Sequence, residues 1–243
     1  MAHALLPLKD LVQAKTRLSG LLRPSERRAL AQAMAEDVLT VLAAHSDVSR
    51  ITLVSDDPGA ALLAGKFGAD CWSEHALGCS GLNPLMQRAS SRILADSDEP
   101  LLVLHCDLPL LTGADISAAL AAQRALDGLI VACDQQGRGT NLLAFSARCI
   151  PQFCFGLNSC AGHEVSARSA GIPVKILQRS GIGVDVDEPA DLKQVMDSLH
   201  LRPHSNTAAL LYNTELGARI ALALATMIDG AEAVDAGNRG LHS

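Results

Sequence analysis

The stretch LLVLHCD, residues 101–107, decides the reading: four apolar residues in unbroken succession, then a histidine, a cysteine and an aspartate. A short run with no polar alternation fits a strand buried on both faces, as in parallel sheets covered by helices. Similar runs recur on either side of it, at ALLPL (4–8), ITLVS (51–55), GLIVACD (128–134), NLLAFS (141–146) and VKIL (174–177). Between them the apolar period changes. Residues 25–44 bring Leu30, Met34, Val38, Val41 and Leu42 to helical spacing, which predicts an amphipathic helix. Further helices are predicted over 60–69, 84–95, 113–125, near 162–170 and over 189–199, with Thr112 and Asp115 as a capping box for the one at 113. GIGVDVD (181–187) reads as a loop or short strand. Strands alternating with helices predict an α/β fold whose mostly parallel sheet is covered on both faces. Ligands of such sheets bind beyond the carboxyl ends of the strands. Lys9, Ser55 and Asp107 each follow a predicted strand, so three chemistry-bearing residues fall at that edge.

Composition narrows the partners. The net charge of −6 disfavours DNA and RNA as partners, and six aromatic residues (Phe67, Trp72, Phe145, Phe153, Phe155 and Tyr212) are too few for base-stacking platforms. Neither observation argues against a mononucleotide, whose phosphates a metal ion and a few local cations neutralise. Cys71, Cys79, Cys106, Cys133, Cys149, Cys154 and Cys160 form no CxxC pair and follow no secretory signal, so they are expected to be reduced thiols of a cytoplasmic protein. Cys149, Cys154 and Cys160 lack the second tight pair that a tetrahedral metal site needs. No apolar run approaches the roughly 20 residues required to span a bilayer. Residues 1–201 read as one domain and 202–243 as an extension, in which RPHSNT is linker-like and ELGARIALALATMI (215–228) is an apolar helix and candidate homodimer surface. The end of the chain carries little structure-forming signal and is expected to be disordered.

Several short motifs carry chemistry. LPLKDLVQAKTRL (6–18) places Lys9, Lys15 and Arg17 on one loop after the first strand, where cations suit a polyphosphate that gains charge on its leaving group. No glycine-rich P-loop accompanies them, which excludes a Walker-type site. In CDLPLL (106–111), Asp107 stands where a carboxylate can hold Mg²⁺ against phosphate oxygens. GVDVDEPADL (183–192) adds Asp185 and Asp187, which point the same way if the segment is extended. QGRGTNLL (136–143) and FGLNSCAGH (155–163) are loops whose backbone N–H groups, with the Thr140 and Ser159 hydroxyls, can cradle an anion, and His163 can add a donor. In SGLNP (80–84), Gly81 and Asn83 can bring backbone and amide groups to a purine edge. Taken singly, each motif also fits a plain role: a solvated basic loop, a strand end, a helix cap or a turn.

Together and in this order, the motifs resemble the 2-phospholactate guanylyltransferase family of coenzyme F-420 biosynthesis, over about residues 5–199. LPLKDLVQAKTRL, AMAEDVL, VSDDP, GLN, CDLPLL, GRGTN, FGLNS with a following histidine, and DVDEPADL carry the resemblance. It implies a nucleotidyltransferase fold of the glycosyltransferase-A-like kind, with a mostly parallel mixed sheet, and transfer of GMP from GTP with Mg²⁺. The acceptor would be the phosphate of a small carboxylic acid: 2-phospholactate, phosphoenolpyruvate or 3-phosphoglycerate. The resemblance further implies that Asp107, Asp185 and Asp187 hold the metal, and that Lys9, Lys15 and Arg17 contact the triphosphate. Thr140, Gly156 and Ser159 would then contact the acid. The chain departs from the family at FGLNSC, where FGPGSF is the expected form: Asn158 stands in place of a glycine and Cys160 in place of an aromatic wall. Three other readings stand beside it: a nucleotidyltransferase using CTP or a sugar phosphate; a glycosyltransferase of related fold, weakened because CDLP stands where a DxD motif is usual; and a non-catalytic GTP-binding dimer module.

Overall fold

The computed structural model describes residues 1–226 except residue 10 and residues 12–14. In chain order the elements are β1 (Ala2–Pro7), α1 (Pro24–Ala43), β2 (Val48–Val54), α2 (Pro58–Lys66), β3 (Asp70–Trp72), α3 (Glu74–Leu77), α4 (Leu82–Leu94) and β4 (Leu101–Leu104). They continue with α5 (Gly113–Leu126), β5 (Leu129–Cys133), β6 (Thr140–Phe145), α6 (Ser159–Ser169), β7 (Val174–Leu177), α7 (Pro189–Leu199) and α8 (Asn206–Tyr212). Helical residues 215–226 follow. The sequence signal missed β3, α3 and α8, each seven residues or shorter and so with little room for a period to show.

One seven-stranded sheet runs in the order β3-β2-β1-β4-β6-β5-β7. All pairs are parallel except those of β6, which lies antiparallel to both β4 and β5. The sheet is therefore mixed and mostly parallel, with one reversed strand. Its strands are apolar on both faces because both faces are covered. In β4, Leu102 and Leu104 join the layer packed with Val38 and Leu39 of α1, Leu63 of α2 and Ile116 of α5. Leu101 and Val103 join the opposite layer with Leu85 and Met86 of α4 and Ala167 of α6.

A third apolar cluster lies beside the sheet and brings distant segments together: Leu18 and Leu22, Leu30 and Met34 of α1, Val184 and Val186, Leu192 and Leu199 of α7, and Leu211 of α8. Leu216, Ile220 and Leu224 of the helical residues 215–226 belong to the same cluster. The apolar stripe read as a candidate dimer surface thus packs against its own chain. Arg219 strengthens this docking by donating to the Leu21 carbonyl (3.0 Å) and pairing with Glu26. The remainder of the 215–228 helix and the tail beyond it lie outside the described residues. No helix among the described residues is long and apolar enough to cross a membrane.

Candidate active site

The reversed strand explains why motifs far apart in sequence meet. A parallel strand brings its last residues to the carboxyl edge of the sheet, whereas an antiparallel one brings its first. In the β4–β6 register Leu104 faces Leu142, and one step further on the His105 N–H donates to the Asn141 carbonyl at 3.2 Å. Thr140 and Asn141, the start of β6, therefore stand beside Asp107, just past the end of β4. The tight turn before them is closed by Asp134, whose carboxylate accepts the N–H groups of Arg138 (2.8 Å) and Gly139 (2.7 Å).

The loop preceding α7 completes the acidic side. The Val186 N–H donates to the Asp107 carbonyl at 3.3 Å, which lays residues 184–187 alongside it. Val184 and Val186 are buried, while Asp185 is half-buried and Asp187 exposed, so the alternation expected of the two aspartates is present. Asn141 positions this loop: its Nδ2 donates to the Ile182 carbonyl (2.8 Å) and to Asp185 Oδ1 (3.0 Å). Burial first, and then the neighbouring Asp107 charge, push the Asp185 carboxyl above its ordinary pKa, against the Asn141 hydrogen bond that lowers it.

Lys15 sits between the carboxylates. Its ammonium pairs with Asp107 and, at 2.8 Å, with Asp187, and its side chain is only 9% exposed. Burial alone would lower the Lys15 pKa, but the two carboxylates outweigh it and raise it. Asp107 mirrors this: burial would raise its pKa, and the Lys15 charge, followed by His105, holds it below its usual value. The Lys15 backbone is left-handed, at φ 56 and ψ 42, a conformation that costs a lysine roughly 1–2 kcal/mol and that the two ion pairs hold in place. The sequence suggested Lys15 as a triphosphate ligand; here its charge is committed to the aspartates. Arg17 lies at the rim, 69% exposed, and pairs with Glu188 at 3.1 Å.

The donor set suits a hard divalent cation. Asp107 Oδ1 is buried and has no hydrogen-bond partner, although its other oxygen takes Lys15. An acceptor left bare in this way, next to a second carboxylate of raised pKa, is what a cation would satisfy. Among the described residues no three His, Cys, Asp or Glu side chains converge on one metal position. Asp107, Asp185 and Asp187, expected from the resemblance as the metal carboxylates, are therefore not brought to one position as a set of three.

The second half of the site is the 154–163 segment. Gly156 has φ 133, a conformation that glycine tolerates and side chains rarely adopt, and its carbonyl accepts the Ser159 N–H at 3.2 Å where α6 begins. Asn158 is left-handed at φ 55, so it takes up the conformation a glycine would supply; asparagine is among the residues that tolerate this best. Ser159 and Thr140 are buried at 3% exposure each. His163 is wholly buried. Its Nε2 accepts the Cys154 N–H at 2.9 Å, which leaves Nδ1 as the protonated nitrogen, 3.1 Å from Thr140 Oγ1. Burial pushes its pKa down to about 4, partly opposed by a backbone hydrogen bond at Ser159, so it is neutral at pH 7. Both His163 nitrogens are engaged inside the protein, with Thr140 and with the Cys154 backbone, whereas the sequence offered His163 as an added donor to an anion.

The remaining residues occupy other places. Lys9 is exposed, and its charge acts on Glu74 of α3. Ser55 is buried and its Oγ accepts the Asp57 N–H at 3.0 Å. Asp57 caps α2 through Gly59 N–H (2.7 Å) and accepts the Leu11 N–H at 2.8 Å, anchoring the loop that carries Lys15. Gly81, at φ 89, precedes α4 as its N-cap, and Asn83 lies in that helix's first turn. Asn83 faces the Phe155 backbone, not open space. Asp57, Asn141 and Phe155 were not singled out from the sequence, although VSDDP, GRGTN and FGLNS contain them; their partners are 46, 41 and 72 residues away.

One expectation is overturned outright. Cys133 and Cys160 form a disulfide, with Cα atoms 5.9 Å apart, so the seven cysteines are not all free thiols. The end of β5 and the first turn of α6 converge at the carboxyl edge, and a separation of 27 residues showed nothing of that. Where the family form has an aromatic wall, Cys160 instead ties the start of α6 to the end of β5.

The comparisons with known proteins agree with this architecture. A phosphoenolpyruvate guanylyltransferase from Sphaerobacter thermophilus is 34% identical over 192 residues, covering 79% of this chain and 91% of that protein. A 3-phospho-D-glycerate guanylyltransferase from Phenylobacterium zucineum is 32% identical over 200 residues, covering 80% and 89%. Among solved structures, a protein from Desulfovibrio desulfuricans G20 assigned as a nucleotide-diphospho-sugar transferase superposes with a TM-score of 0.74 at 18% identity, covering 91% of this chain and 97% of that one. CMP:2-keto-3-deoxy-manno-octonic acid synthetase complexed with CTP gives 0.55 at 14% identity, covering 82% and 98%. At such identities the structures speak for the fold alone, that of the glycosyltransferase-A-like nucleotidyltransferases. The family described as "Guanylyl transferase CofC like" matches residues 2–217, nearly the whole of the described fold, and the chain belongs to that family.

Proposed function

We propose that this protein transfers GMP from GTP onto the phosphate of a small phosphorylated carboxylic acid, with Mg²⁺, in the cytoplasmic biosynthesis of coenzyme F-420. The observation that carries the reading is the buried, unpartnered Asp107 Oδ1 at the carboxyl edge, flanked by Asp185 and Lys15. It occurs in a chain whose relatives are named phosphoenolpyruvate and 3-phospho-D-glycerate guanylyltransferases, and those two acids, with 2-phospholactate, are the acceptors to test.

In the proposed reaction an oxygen of the acid's phosphate attacks the α-phosphorus of GTP. The bond from that phosphorus to the α–β bridging oxygen breaks, and pyrophosphate leaves with the electron pair. The second pKa of a phosphate monoester lies near 6, so at pH 7 the nucleophile is already mostly dianionic. No general base is assigned, and His163 serves as a buttress. The protein's task is positioning and charge stabilisation. Asp107 with Asp185 or Asp187 would hold Mg²⁺, which when bound neutralises charge on the phosphate oxygens. Lys15, released from the carboxylates, and Arg17 at the rim would face the departing pyrophosphate. Thr140, Ser159 and the backbone at Gly156 would orient the acid. All of this machinery lies within residues 1–201.

The test is pyrophosphate release from GTP and Mg²⁺ with each of the three acids offered separately. Release with one acid, lost when CTP replaces GTP, is the expected result. Absence of release with every acid from folded protein would overturn the reading, and release with CTP would favour the other nucleotidyltransferase reading.

A further inference from the structure

Asn83 is the polar residue of α4 that the sequence offered to a purine, and the structure has already used it. Its Nδ2 donates to the Phe155 carbonyl at 3.0 Å, and its Oδ1 accepts the Phe155 N–H at 2.7 Å. A carboxamide thus satisfies both backbone groups of one residue, 72 positions away, as a neighbouring strand would. Phe155 lies between Cys154, whose N–H is taken by His163, and Gly156, whose carbonyl starts α6. Its ring meets His105 edge-on at 5.2 Å, two residues before Asp107, and His163 at 5.0 Å, and stacks on Phe153 at 5.9 Å. The segment 154–158 has no regular secondary structure of its own. Asn83 is therefore a main tie between this loop and α4, and Phe155 is the link from the loop to the aspartate side.

We propose that Asn83 is a positioning residue for the acid: by pairing both backbone groups of Phe155 it sets the 154–159 loop at the height where Ser159 and Thr140 meet the acceptor. This rests on the guanylyltransferase reading for its substrate, but the clamp itself can be measured without one. The two roles open to Asn83 predict opposite kinetics. A clamp acts on the acid; a base reader acts on the nucleotide.

The experiment uses the full chain with Asn83→Ala and Asn83→Asp. In steady-state pyrophosphate release, Asn83→Ala is expected to raise KM for the acid about 10- to 100-fold, the scale for losing two hydrogen bonds and leaving their partners unpaired. KM for GTP and the preference for GTP over ITP should stay within about twofold, since no contact to the base is lost. Asn83→Asp keeps the acceptor for the Phe155 N–H and should fall between Ala and wild type. In parallel, hydrogen exchange without substrates should show the Phe155 amide protected in wild type and Asn83→Asp, and exposed in Asn83→Ala. Leu101–Leu104 should remain unchanged, as the control for folding. A raised KM for GTP or a lost GTP preference, with KM for the acid unaltered, would overturn the proposal. So would unaltered exchange at Phe155 in Asn83→Ala. If wild type releases no pyrophosphate, the guanylyltransferase reading fails, and the exchange measurement still decides the clamp.

Discussion

Replacing Lys15 with methionine keeps the aliphatic stem and deletes the charge that lies between Asp107 and Asp187. The cost follows from exposure. Breaking a fully buried pair by removing one partner costs about 3–5 kcal/mol, and an exposed pair is worth about 0–1 kcal/mol. Lys15 is 9% exposed and Asp107 23%, which places that pair near the buried limit but with some access to water; Asp187, at 51%, adds little. We expect a loss of about 2–3 kcal/mol without metal, a fall in Tm of about 4–12 °C for a domain of this size. Three further readings test the cause. First, Lys15→Met/Asp107→Asn should recover about 1–2 kcal/mol relative to additivity, because the double variant no longer buries an unpaired carboxylate. Second, the native Asp107 pKa lies below its unfolded value, so the pair stabilises fully above pH ~4 and its contribution is lost as pH falls through the native pKa. The deficit of the single variant should therefore shrink in acid. Third, Mg²⁺ should raise the Tm of Lys15→Met more than that of wild type, since the cation no longer competes with an ammonium. Urea unfolding in chelator, at pH 7 and below pH 4, gives the first two. Strict additivity of the two substitutions, or a deficit independent of pH, would refute the reasoning.

Asp107→Asn should lower turnover by about 10²–10³, the scale for one key electrostatic stabiliser, and shift the magnesium dependence to higher concentration; unchanged values in a pyrophosphate assay would remove it from the site. His163 has its pKa depressed from 6.5 to about 4, so its contribution to stability is full above pH 6.5 and lost between there and pH 4, at up to about 1.4 kcal/mol per pH unit. His163→Gln should flatten that slope in urea titrations across the interval, and an unaltered slope would assign it elsewhere. The Cys133–Cys160 bond closes a loop of 27 residues in the unfolded chain, which by the chain-entropy account stabilises the fold by roughly 3–4 kcal/mol, and removing it loses that contribution. Cys160→Ser should unfold at lower urea, wild type treated with a dithiol should match it, and a stability indifferent to reductant would count against the bond.

The α/β class, the helix at Pro24–Ala43, the burial of LLVL on both faces and the Thr112–Asp115 capping box were legible from the sequence, because each rests on local period or local capping. Asp107 and the Asp185–Asp187 pair were legible too, since strand ends and alternation place carboxylates without long-range information. The reversed direction of β6 was not: NLLAFS is equally apolar in either sense, and only pairing with both β4 and β5 decides it. That reversal brings Thr140 and Asn141 to Asp107. The same limit hid the Lys15 bridge, the Asn83 clamp on Phe155 and the Cys133–Cys160 bond, which span 92, 72 and 27 residues. The sequence by itself determined which side chains with the right chemistry the chain possesses and which strand ends carry them. The tertiary structure alone decided which of them touch, because a hydrogen bond or ion pair depends on distances of a few ångströms that chain separation does not encode.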